Sequence, residues 1–302
     1  MAELREIASG LQFPEGPIAR DDGSVLLVEI RRGTLSRVTP DGAVEVVAET
    51  GGGPNGAASG PDGLVYVCNN GGFEWHERGG LVVPGDQPAD YSGGSIQRVD
   101  PGSGAVETIY TECDGVKLRG PNDLVFDSTG GFWFTDHGKM RVRDRDRTGI
   151  FYARPDGSSI REMAFPLDAP NGIGLSPEGE RVYVAETYTG RVFYWDLAGP
   201  GEIRANPLSP NGGHLLVGLP GLQLLDSLAV DAEGNVCVAT IANGGITIVS
   251  PTGDTRHVPT GDPLTTNICF GGADLRTAYI TCSGTGRLVS TEWETPGLPL
   301  AF

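Results

Sequence analysis

The chain has 302 residues, 38% of them hydrophobic, with 39 acidic against 22 basic side chains and a formal net charge of −17. Such a charge excludes nucleic acid and an anionic membrane as the main partners, and the apolar content supplies a core too large for a disordered chain. Glycine is the outlier: 47 residues is more than twice its usual share of about 7%, which points to many tight turns.

The N-terminal MAELREIASGL lacks the basic and apolar regions of a signal peptide, and no run approaches the roughly 18 apolar residues of a membrane span. The expectation is a soluble, cytoplasmic protein. Its five cysteines form no C-x-x-C pair and are expected to be buried free thiols.

In chain order, LREIA at Leu4 to Ala8 reads as a strand with no partner beside it. Glu15 is then followed eight residues later by Gly23 and by VLLV. The same frame returns as Asn55, Gly63 and VYVC; Asn122, Gly130 and FWFT; Asn171, Gly179 and RVYV; and Asp226, Gly234 and VCVA. A sixth copy begins at Asn267 and runs into TAYI, with Leu275 in the glycine slot. Successive starts lie 40 to 67 residues apart, the mark of a blade-like repeat with insertions.

Each copy reads as a hairpin whose turn supplies a residue of positive φ. A third strand follows, announced by glycine, as in GTLSRV, GSIQRVD, GIFYAR, GRVFYWD, GGITIV and GRLVS, and a fourth follows turns such as TPDG and RPDG. Four antiparallel strands repeated six times predict an all-β, six-bladed β-propeller spanning 1–302 as one domain, which removes most exposed sheet edges by closure. The last copy ends after three strands, so the N-terminal strand is expected to close the last blade.

In such a fold the innermost strands start at one mouth of the central channel, so Glu15, Asn55, Asn122, Asn171, Asp226 and Asn267 gather there. All six carry a side-chain oxygen, a hard donor set that suits Ca2+ better than Zn2+. The plainer alternative is that Asn and Asp cap strand entries. Loops after the second strands lie on the same side. The longest, Asn69 to Gly94, is either a lid or an insertion packed on a neighbouring blade. The loop Asp136 to Thr148 alternates Lys139, Arg141, Arg143, Arg145 and Arg147 with aspartates and is expected to be exposed and self-paired.

The segments FPEGP at Phe13 to Pro17, PNDLVFDSTGGFWFTD at Pro121 to Asp136, APNGIGLSPEG at Ala169 to Gly179 and DSLAVDAEGNV at Asp226 to Val236 resemble the SMP-30/gluconolactonase/luciferin-regenerating family, in its bacterial lactonase-like branch. The resemblance implies a six-bladed propeller with one divalent cation in the channel, Ca2+ first and Mg2+, Mn2+ or Zn2+ as alternatives. It implies Glu15, Asn171 and Asp226 as metal ligands, with Asn122 on the metal or the substrate. Where the animal branch has a substrate-binding Arg, this chain has Gly120, with Arg119 beside it. Arg119, Asp136 and His137 are the further substrate-binding candidates.

The reaction so implied is metal-dependent hydrolysis of a small lactone, such as gluconolactone, to the aldonic acid. Asp226 is the candidate general base, or else only a ligand. No G-x-S-x-G frame surrounds Ser227, which argues against a serine hydrolase. Two other readings fit the same ligands: a phosphotriesterase resembling diisopropyl-fluorophosphatase, and a calcium-binding propeller without catalysis.

Overall fold

Runs of β-branched and aromatic residues, separated by glycine turns, form the strands seen in the computed structural model, which describes residues 3–302. Six antiparallel sheets form the blades of a six-bladed β-propeller. Blade 1 comprises Pro14–Ala19, Val25–Glu29, Thr34–Val38 and Val44–Glu49 from inside outwards, and blade 2 Pro54–Ser59, Val65–Asn69, Ser95–Val99 and Val106–Tyr110. Blade 3 is Pro121–Phe126, Phe132–Asp136, Thr148–Ala153 and Ile160–Leu167. Blade 5 is Leu224–Val230, Val236–Ile241, Gly245–Val249 and Thr255–Pro259.

Blade 4 departs from four strands. Inside Arg191–Gly199 lie Pro170–Leu175 and Arg181–Glu186, but its outer edge pairs with two segments, Glu202–Arg204 and His214–Gly218. Blade 6 has Thr265–Gly271, Thr277–Cys282 and Arg287–Glu292, and its outermost strand is Arg5–Ala8, paired antiparallel with Arg287–Glu292. The N-terminal strand therefore closes the ring, as expected from its lack of a sequence neighbour.

The hairpin turns explain the glycine slot. Gly23, Gly63, Gly130, Gly179 and Gly234 sit at φ between +67° and +80°, where a Cβ is strained. Leu275, in the sixth copy, is held at φ +56° all the same.

The core lies between blades. Six apolar clusters occupy the six blade interfaces; one joins Tyr66, Cys68 and Ile96 of blade 2 to Phe126, Phe132 and Phe134 of blade 3. Each fully buried side chain of this size contributes about 1.5 to 3 kcal/mol, so the interfaces hold the ring closed. All five cysteines are free, four of them buried and Cys269 partly so.

Candidate active site

Every inner strand is bulged at its entry. Pro14 and Glu15 pair with Glu29 and Val28, and the next paired residue is Ile18 with Leu26, so one residue is extra. The same slip falls between Pro54 and Ala57, Pro121 and Leu124, Pro170 and Ile173, Leu225 and Leu228, and Thr265 and Asn267. A bulge re-aims the side chain it carries, and here six of them act on the six repeated positions.

In three blades the next residue is glycine, for a packing reason. A Cβ on Gly16 would lie 2.7 Å from the Asn55 carbonyl, one on Gly56 2.5 Å from that of Asn122, and one on Gly172 2.7 Å from that of Asp226. Inner strands of neighbouring blades thus approach backbone to backbone beside the ring.

Glu15, Asn55, Asn122, Asn171, Asp226 and Asn267 are all buried. Asn267 Nδ2 donates to Glu15 Oε2 at 2.7 Å, and the Gly16 N–H donates to the same oxygen at 2.7 Å. Asn171 Nδ2 donates to Thr187 Oγ1 at 3.2 Å, while Ser227 Oγ lies 3.5 Å from Asn171 Oδ1. Glu15 Oε1 and Asn122 Oδ1 are buried with no hydrogen-bond partner. Orphaned acceptors of this kind cost about 1 to 3 kcal/mol each unless a donor or cation serves them.

Three carboxyl groups share this region. Burial pushes Glu15 up to about 7, against its bonds from Asn267 and Gly16. Asp123 is pushed up to about 8 by burial and then by the charge of Glu15. Asp226 is raised well above the carboxylate range, by burial first and by Glu15 second, although Asn171 bonds to it. No group of three His, Cys, Asp or Glu side chains with metal-site geometry occurs among the described residues. The ring instead combines two carboxylates with amide oxygens, so the donor set that fits is one for a hard divalent cation.

The outer candidates fall differently. The Asp136 carboxylate accepts the N–H groups of Arg119 at 2.7 Å, Gly120 at 2.7 Å and Gly138 at 2.9 Å. It thereby fixes the loop that delivers Asn122. Side chains at the ends of other second strands do the same: Glu29 accepts the Gln12 N–H, Asn69 that of Gly53 and Glu186 that of Asp168. The Arg119 side chain is exposed. His137 is partly buried, pulled down to about 4 by desolvation, and packs edge-on to Tyr188 at 5.8 Å between ring centroids.

The basic loop is only partly the self-paired segment expected. Arg141 does pair with Asp144 and Asp146 within it, at 2.5 and 2.9 Å. Arg145, however, crosses to Asp168 at 2.5 Å and stacks 4.8 Å above the ring of Tyr188. Lys139 is buried, its Nζ donating to Asn70 Oδ1 at 3.1 Å and the Gly72 carbonyl at 2.5 Å and lying 4.1 Å from the Phe73 ring centre. The alternation of charge hides this, because a lysine stem that turns inward looks the same in sequence as one that does not.

The insertion from Asn69 to Gly94 overhangs the same face. It forms a hairpin of Trp75–Arg78 with Leu81–Pro84. Phe73, Trp75, Leu81, Val82 and Val83 pack on Phe13 and Ile30 of blade 1, Ile241 of blade 5 and Leu264 of blade 6. A segment that leaves blade 2 and reaches blades 5 and 6 is a lid over one side of the mouth.

The SMP-30/Gluconolactonase/LRE-like region matches residues 13–284. The chain belongs to that family. It is 30% identical to the lactonase drp35 of Staphylococcus saprophyticus over 81% of this chain and 68% of that one. To the gluconolactonase of Zymomonas mobilis it is 27% identical over 93% of this chain and 79% of that one. Among solved structures, a calcium-binding protein, regucalcin, of Agrobacterium tumefaciens shares the fold at a TM-score of 0.77, with 16% identity over 100% of this chain and 98% of that one.

Two further residues at the site, Asp123 in the motif PND and Tyr188 in the loop Glu186 to Gly190 after a second strand, are not singled out by the repeat. Asp123 occupies the slot that is glycine in Gly16, Gly56 and Gly172, and that break in the pattern was the available signal. Tyr188 lies outside the repeat frame, yet the charge of Asp226 reaches its phenol, which burial raises.

Proposed function

We propose that this protein is a lactonase that hydrolyses a sugar lactone such as gluconolactone to the aldonic acid at the channel mouth, with one divalent cation, Ca2+, as cofactor. The observation that carries the reading is the pair Glu15 Oε1 and Asn122 Oδ1, buried and unpartnered beside Asp226 in a ring of oxygen donors. The gluconolactonase and lactonase relatives supply the substrate class.

Glu15, Asn122, Asn171 and Asp226 would hold the cation. When bound, Ca2+ balances the two carboxylates and polarises the lactone carbonyl. Asp226 then accepts a proton from the attacking water as the new C–O bond forms, and returns it to the ring oxygen as the ester C–O bond breaks. Glu15 keeps one orientation because Asn267 and the Gly16 N–H hold its Oε2. Asn171 is tied to Thr187 and orients its amide oxygen. His137, uncharged at neutral pH, and Tyr188 form a wall that offers hydrogen bonds to sugar hydroxyls, while the hairpin from Trp75 to Pro84 limits access of bulk water.

The test is acid release from a panel of glucono-, xylono-, galactono- and aromatic lactones, with a fluorophosphate alongside, in the presence of Ca2+. Turnover of a sugar lactone above all others supports the reading. Turnover of the fluorophosphate alone would replace it with phosphotriester hydrolysis, and no turnover of any would leave a cation-binding propeller.

A further inference from the structure

The insertion that forms the lid also borders an open cleft of about 480 Å3 between itself and blades 1 and 2. None of the six ring residues lines it, so it is separate from the channel. Its volume falls within the roughly 300 to 1,000 Å3 of small-molecule sites.

The walls divide by chemistry. One is apolar and largely aromatic, made by Trp75, Phe73 and Ile30. The back wall is polar but already satisfied: Asn69 Nδ2 donates to Gln97 Oε1 at 3.0 Å, its Oδ1 accepts the N–H groups of Gly53 and Gly71, and Gln97 Nε2 donates to the Thr50 carbonyl at 3.0 Å. A Cβ on Gly52 would lie 2.5 Å from Asn69 Oδ1, so that wall depends on glycine. The front edge is different. Among the described residues, the side chains of Asp90, Ser92 and Ser95 line the cleft without a hydrogen bond or ion pair in the fold, and Arg31 has only a 3.7 Å contact to the exposed Glu77.

An apolar wall of Trp75, Phe73 and Ile30, whose two aromatic rings meet edge to face at 82°, together with unpartnered hydroxyls, one carboxylate and one guanidinium on the rim, complements a sugar ring, which has apolar C–H surface and a rim of hydroxyls. Aromatic side chains cover such a face with a large area, and the two opposite charges leave no net demand for an ion. We propose that this cleft is a second ligand site, taking a neutral monosaccharide or polyol outside the channel. Trp75 connects the two: its ring also packs 5.2 Å from that of Phe13, two residues before Glu15. The site stands whether or not the channel hydrolyses lactones.

Trp75 reports on the cleft, because it is half-buried while Trp133, Trp195 and Trp293 are buried. The experiment is a titration of tryptophan emission in the intact protein with D-glucose, D-galactose, D-xylose and D-mannitol. At least one is expected to give a saturable change that disappears in Trp75→Phe. The same change weakens about tenfold or more in Asp90→Ala, an exposed side chain, combined with Ser95→Ala, a half-buried one, and persists in Asn171→Ala, which damages the channel ring. No saturable change with any of the four up to about 100 mM, beyond the range in which millimolar binding saturates, would overturn the proposal. So would a change that Asn171→Ala abolishes and the cleft variant leaves intact, since the sugar would then be in the channel.

Discussion

Asn267 Nδ2 holds Glu15 Oε2 at 2.7 Å across the seam where the last blade meets the first. The Ser283 hydroxyl strengthens the same seam by donating to the Pro14 carbonyl at 2.5 Å. One side of the proposed metal site therefore depends on ring closure, and ring closure depends on the N-terminal strand Arg5–Ala8.

A chain starting at residue 10 leaves the strand Arg287–Glu292 as a bare edge and uncovers the cluster around Ala8, Leu11 and Leu288. Its melting temperature is expected to fall by on the order of 10 °C, since a few kcal/mol of pairing and burial are lost, and its cation affinity should fall with it. Melting at the temperature of the full chain would show that the closure carries no stability.

The buried carboxyl groups set the pH dependence of the chelated protein. Glu15 is raised from 4.5 to about 7 and Asp123 from 3.8 to about 8. The folded state thus keeps protons that the unfolded chain has released. Stability from these groups is fully present below about pH 4 and is lost as pH rises through about 7 to 8, at up to about 1.4 kcal/mol per pH unit for each proton. A divalent cation takes over the protons' role. The gain in melting temperature on adding Ca2+ is therefore expected to grow from about pH 5 to about pH 8. A gain independent of pH, measured by thermal scans with chelator and with Ca2+, would place the cation elsewhere.

Lys139 ties the base of the lid to blade 3 through Asn70 and the Gly72 carbonyl. Burial pulls the Lys139 amine down to about 7, so it is only partly charged near neutral pH; Lys139→Met keeps most of the volume and removes its hydrogen bonds, each about 0.5 to 1.5 kcal/mol. The expected result is faster proteolytic cleavage within the insertion and a raised KM for lactone, with the propeller still folded. An insertion as resistant as in the native chain would show that the hairpin's apolar contacts suffice alone.

Leu275 occupies the one turn of the six where the repeat has no glycine, at φ +56°. Leu275→Gly should relieve about 1 kcal/mol of left-handed strain, less the apolar contact of a half-buried side chain. A modest rise in melting temperature is expected; a fall would mean that the packing of Leu275 outweighs its backbone strain.

The ring was legible because closure makes it periodic. Glu15, Asn55, Asn122, Asn171, Asp226 and Asn267 recur in one frame, five of them with the turn glycine, and a bulge at each strand entry gives them a common backbone setting. Side chains between blades and loops were not legible. Asp136 looked like a ligand-facing acid at a loop base, and the structure shows it accepting three backbone N–H groups. The buried Lys139, the Arg145–Tyr188 stack and the docking of Trp75 on Phe13 join segments 67, 43 and 62 residues apart in sequence, counting Lys139 from Gly72. Such contacts obey no period, so only the folded chain discloses them.

Asp226 is proposed to move the proton in a cation-dependent hydrolysis. The most direct measurement is acid release from glucono-1,5-lactone by chelated protein, before and after Ca2+ is restored, for the native chain and for Asp226→Asn, with Ca2+ binding followed by calorimetry. Hydrolysis is expected to be removed by chelation and restored by Ca2+ in the native chain, with kcat lower by about 100-fold or more in Asp226→Asn once saturated with Ca2+. Near-native turnover in a Ca2+-loaded Asp226→Asn protein, or hydrolysis indifferent to chelation, would contradict the proposal.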